Sequence, residues 1–135
     1  MRIAVGIRQR IEEALEAACL DVLVKVRGAR GLAPPAADSP QDREEFHESV
    51  RDLLVRLQAH FLPSLGEELR GKVDVAAAAS ASDPLARLVA VQVALARELP
   101  DYWQRFDAIR IEYAEERAAS GGESRGLLRR LFGRG

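Results

Sequence analysis

The spacing of the apolar residues most narrows the folds open to this chain. Through three long stretches they recur at steps of three and four, the period of an amphipathic helix. Ile3, Ile7, Ile11, Leu15, Ala18, Val22 and Val26 trace one side of a first helix, from Arg2 to about Arg27, with Glu12, Glu13, Glu16 and Lys25 off the stripe. Phe46, Val50, Leu53, Leu54, Leu57 and Phe61 mark a second, from Pro40 to about Phe61. Leu85, Leu88, Val89, Val91, Leu95 and Leu99 begin a third, which resumes through Tyr102, Trp103, Phe106, Ile109 and Tyr113. Val22 to Val26 would also suit a strand, but no partner strand is evident. The expectation is an all-α fold, a helical bundle of three main helices broken near Pro63 and Pro100.

Punctuation residues set the joints. Gly28 and Gly31 supply a stop for the first helix. The stretch to Asp38 contains Pro34-Pro35 and reads as an extended surface linker. Ser39 followed by Pro40 is an N-cap followed by the favoured first-turn proline, with acids next at Asp42, Glu44 and Glu45. Asp83-Pro84 repeats the signal. Pro63 cannot continue a helical ladder without a kink. A short turn through Leu65 and Leu69, ended by Gly71, is expected after it. Val73 to Ser82 reads either as a loop or as a frayed helical extension. Gly121 and Gly122 loosen the pattern, dividing the chain into a bundle domain (1–119) and a hinge with a basic tail (120–135).

Composition narrows the function. At 135 residues the chain is one domain's worth, with 47% apolar and only 5% aromatic residues, so the core must come from Leu, Val, Ile and Ala. The tail from Arg125 holds four arginines and no acid. Without it, 16 basic and 21 acidic residues remain, a net charge of −5. A body of that sign is a poor footprint for nucleic acid. The single cysteine, Cys19, reads as a small buried hydrophobe, and a reducing compartment is expected. No secretory signal is visible, and no apolar run is long enough to span a bilayer.

Few constellations could carry chemistry. Glu44 and His47 have the Glu-x-x-His spacing of di-iron bundles, but such sites need a second copy of the motif and two more carboxylates. They are weak metal candidates, completed only if Glu12, Glu13 and Glu16 of another copy met them. No nucleophile elbow, phosphate-cradling glycine loop or Cys/His cluster is present, so no catalytic residue and no cofactor is expected. Tyr102, Trp103 and Arg110 lie in the aromatic stretch after Pro100. They are a possible partner face, unless the aromatic rings close the core.

The C-terminal segment carries most of the functional signal. Wound as a helix, Leu127, Leu128, Leu131 and Phe132 span an arc of about 140°. Arg129, Arg130 and Arg134 fill the remainder. An isolated helix this short is marginal in water. An anionic bilayer would take up the apolar arc at roughly 25 cal/mol per Å2, with about 1 kcal/mol more per arginine. Ordering each residue costs about 1 kcal/mol or more, so one copy should bind weakly, and several copies on an oligomer firmly.

The run Gly126-Leu127-Leu128-Arg129-Arg130-Leu131-Phe132-Gly133 resembles the membrane-targeting sequence of the MinD division-site ATPases. The resemblance covers only about ten residues, and the Walker lysine loop of that family is missing. It therefore implies a mode of attachment to the inner bacterial membrane and not an activity. The expected function is a non-enzymatic bacterial adaptor or scaffold, cytoplasmic and peripheral at the inner membrane face. Its bundle would bind a protein partner, and a homodimer is a possible assembly. The alternatives are a ferritin-like metal-binding protein with a cargo-docking tail, or a small helical subunit of a complex whose tail fits a protein groove.

Overall fold

The computed structural model describes residues 6–80 and 83–132, with side chains described as far as residue 119. Five α-helices and one 3-10 turn account for nearly all of it, and no strand occurs among the described residues. They are α1 (Ile7–Ala29), α2 (Pro40–Phe61), the turn Leu62–Ser64, α3 (Glu67–Ala79), α4 (Pro84–Glu98) and α5 (Tyr102–Phe132). The fold is all-α. Val22 to Val26 is helical throughout.

The helix ends follow the chemistry of their caps. Ser39 accepts a hydrogen bond from the Asp42 amide at 3.3 Å, and Asp83 accepts one from Leu85 at 3.0 Å, each just ahead of its proline. At the end of α1 the Gly31 amide donates to Gly28 and the Leu32 amide to Arg27. That is the Schellman pattern, and it requires the left-handed φ of 71° that Gly31 adopts.

Past Pro63 the chain makes more helix than its sequence leads one to expect. The turn Leu62–Ser64 absorbs the proline, as expected of a break. However, α3 then runs through Gly71 and on through Val73 to Ala79. Gly71 ends nothing. Its φ is ordinary and it stands in open space, so it costs the helix only about 1 kcal/mol relative to alanine. The alanine run beyond it has high helix propensity and continues the element.

Antiparallel α1 and α2 form a central pair, with Arg27 beside Asp42 and Glu45. Both touch α4 and α5, while α4 and α5 barely touch each other, so the latter two flank the pair on opposite sides. α5 runs parallel to α1: Arg10 lies over Trp103, and Ala17 and Ala18 share a cleft with Phe106 and Arg110. α3 folds back on α4. Sandwiched between α3 and the central pair, α4 buries three consecutive residues, Val91, Gln92 and Val93, where a one-sided helix would bury only a stripe. The core is aliphatic at α1 and α2 (Ile11, Leu15, Val22, Leu53, Leu54, Leu57) and aromatic where α2 meets α5.

Candidate functional site

The aromatic stretch after Pro100 resolves into an interior and an edge. Tyr102 is fully buried and belongs to the core, which removes it from the expected partner face. Its ring stacks on Phe61 with centroids 5.2 Å apart, and its hydroxyl donates to Gln92 Oε1 at 2.6 Å. Burial pushes the Tyr102 phenol well above its ordinary range. The other amide atom, Gln92 Nε2, is buried without a hydrogen-bond partner among the described residues. Trp103 and Arg110 are half-buried. They edge a cleft of about 290 Å3 between α1 and α5, whose α1 wall is Ala14, Ala17 and Ala18. Arg10 covers the Trp103 ring at 4.2 Å, and Arg110 pairs with Asp107 at 2.9 Å. The cations here are engaged within the bundle.

A buried polar cluster joins three helices nearby. Ser49 of α2 lies 3.4 Å from the Tyr113 hydroxyl of α5, and Cys19 of α1 is buried beside Ser49. Burial raises the Cys19 thiol to about 11, so at neutral pH it is protonated and a poor nucleophile. The Tyr113 phenol is likewise raised by burial. The cluster is a set of neutral hydrogen-bonding groups within the core.

Glu44 and His47 lie on the first turns of α2, outside the core. Among the described residues no three His, Cys, Asp or Glu side chains converge as a metal set would require.

A larger concavity lies between α1 and α2 on the side that α4 takes. α4 begins level with the middle of the pair, where Leu85 and Val89 meet Leu15, Phe46 and Val50. Beyond that level the pair continues uncovered, leaving a groove of about 460 Å3 floored by Phe46, Leu20 and Pro35. A further pocket of about 190 Å3 shares Glu16, Phe46 and His47 with it. Glu16 stands on the α1 wall of the groove, with Glu12 one turn back in the adjoining pocket, and Asp42, Arg43 and His47 stand on the α2 wall. Leu20, nearly half exposed, adjoins the exposed Val24 one turn on.

Arg27 fixes the far end of this groove. Its guanidinium bonds to Asp42 and, at 3.1 Å, to Glu45, while Asp42 Oδ2 also accepts the Ala36 amide at 2.7 Å. The Ala36 amide and the Arg27 guanidinium hold the Asp42 carboxyl below the usual carboxylate range. The Pro34-Pro35 linker is thereby tied to the start of α2.

Apolar periodicity does not single out this groove. Its one sequence signal is Leu20, an apolar residue off the α1 stripe, followed at i+4 by Val24. The expected docking residues Leu127, Leu128, Arg129, Arg130, Leu131, Phe132 and Arg134 lie outside the residues whose side chains are described. α5 is helical as far as Phe132. No helix among the described residues is long and apolar enough to cross a membrane.

Comparison with protein-family models, with curated proteins and with solved structures finds no match.

Proposed function

We propose that the protein is a non-enzymatic bacterial adaptor that docks at the cytoplasmic membrane through its C-terminal segment and presents the helical bundle to a protein partner. One observation carries this reading: from Arg125 onward the sequence separates three leucines and a phenylalanine from four arginines at helical spacing, with no acid. That is the pattern of an interfacial helix, whose arginines meet anionic headgroups while the apolar arc enters the acyl boundary. The acidic body favours the same orientation, since a net charge of −5 is repelled by an anionic surface and leaves the tail as the contact. One tail binds weakly, so attachment by this reading is reversible.

Co-sedimentation with vesicles containing anionic lipid tests it. The full chain should sediment, and a chain ending at Ser120 should remain in the supernatant. Equal sedimentation of the two would overturn the membrane assignment.

A further inference from the structure

We propose that the groove between α1 and α2 is the docking site for the C-terminal segment, residues 125–134, of a second copy of this chain. The inference rests on reading that segment as an amphipathic helix. It assigns the helix a protein seat in addition to a lipid one.

Three features argue for this occupant. The first is shape. From Leu15, the level at which α4 begins to cover the pair, α1 continues about 18 Å to Arg27 at the groove's far end, and a ten-residue helix is about 15 Å long. The uncovered groove therefore has room for a helix of the tail's length. The second is polarity. The floor offers Phe46, Leu20, Val50 and Pro35, which suits the apolar arc of Leu127, Leu128, Leu131 and Phe132. Anchors at i, i+1, i+4 and i+5 are how a helix fills such a trough.

The third feature is charge complementarity. By helical spacing the tail arginines form two i,i+4 pairs, Arg125 with Arg129 and Arg130 with Arg134, one on each flank of the apolar arc. Glu12 and Glu16 form an i,i+4 pair on the α1 wall, both exposed. Two carboxylates about 6 Å apart along one helix match two guanidiniums at the same spacing on another. Arg8 is 4.0 Å from Glu12, and no ion pair of Glu16 occurs among the described residues. The α2 wall carries Arg43 and His47, and its one carboxylate, Asp42, is already engaged by Arg27, so the pairing is made to α1 and the outer arginine pair stays in solvent.

The second copy is favoured over the chain's own tail by the position of α5. That helix flanks the central pair opposite α4, whereas the groove opens on the α4 side. Reciprocal exchange between two copies closes a two-fold dimer. Lipid and groove then compete for the same apolar arc.

The test uses the full-length protein. Self-association is measured by sedimentation equilibrium for wild type, for Glu12→Arg with Glu16→Arg, for Arg129→Glu with Arg130→Glu, and for all four together. One tail arginine from each flank is reversed, so either helix direction is hit. Each reversal should weaken self-association about tenfold or more, and the fourfold variant should recover part of it, because one of the two tail charges facing α1 is then opposite in sign to its new partner. The glutamates are exposed, so an unchanged helical spectrum is expected throughout. A monomeric wild type would overturn the proposal, as would a groove reversal that leaves association unchanged. Monomers whose vesicle binding rises on groove reversal would point to the chain's own tail and also overturn it. Absence of vesicle binding in every variant would remove the membrane reading alone, leaving the self-association result to stand by itself.

Discussion

Replacing Tyr102 by Phe, Gln92 by Met, and both together probes the buried pair at the α4–α5 joint, and the order of the three stabilities is fixed by the hydrogen bonding. Both residues are fully buried. Tyr102→Phe keeps the stack on Phe61 but strips Gln92 Oε1 of its 2.6 Å donor, leaving both amide atoms unpaired. A buried polar group left unsatisfied costs about 1–3 kcal/mol. Gln92→Met strands the Tyr102 hydroxyl but also removes the unpaired Nε2, so the two effects oppose and the net change should stay within about 1 kcal/mol. The double variant has no polar atom left to strand. It should be more stable than Tyr102→Phe alone, recovering about 1–3 kcal/mol, or roughly 4–12 °C in Tm for a chain of this size. Urea unfolding followed by circular dichroism reads this directly, provided the m value is unchanged. A double variant less stable than Tyr102→Phe would refute the reasoning. It would mean that the Gln92 amide is satisfied and that the two losses add.

Phe61→Ala should cost about 3–5 kcal/mol, because the ring is fully buried and stacked on Tyr102, while Val55→Ala at an exposed site should stay within about 0.5 kcal/mol; comparable losses at the two positions in urea titrations would contradict the burial. The depressed Asp42 carboxyl contributes stability above the ordinary carboxylate value of about 4 that is lost as pH falls through its lower folded value. The urea midpoints of wild type and Asp42→Asn should thus differ at neutral pH and converge in acid, and parallel profiles would refute the link. Cys19, buried with its thiol raised to about 11, should react with a thiol reagent only as fast as the protein opens, so rapid labelling in native buffer would contradict its placement.

Where local chemistry decides the outcome, this fold is legible in the sequence. Ser39-Pro40 and Asp83-Pro84 begin helices because a capping side chain and a first-turn proline act within three residues of each other. Gly31 ends α1 for an equally local reason. Gly71 misleads because a glycine stops a helix only where the chain takes the left-handed turn, and the run Ala76 to Ala79 further on favours helix. Tyr102 stays open between core and partner face in the sequence, since its acceptor, Gln92, sits on the preceding helix. The groove is illegible for a stronger reason. It exists because α4 starts level with Leu15 and Val50, and that alignment is a property of three helices packed together. Of the tail, the sequence shows the amphipathic pattern and nothing of the surface that receives it.

The packing of α3 makes the bundle thermodynamically uneven. This helix packs mainly on α4, apart from an Arg70 hydrogen bond to the Leu62 carbonyl, and buries a single residue of its own, Val73, while Val75 is mostly exposed. Little apolar surface holds it, and its Lys72–Glu98 ion pair is half exposed. Such sparse burial makes α3 the element expected to open below the global unfolding free energy, which amide hydrogen exchange would read. Each opening uncovers the outer side of α4, whose inner side stays locked against α1 and α2. Such an opening would present a fresh face of a largely apolar helix while the four-helix core stays folded.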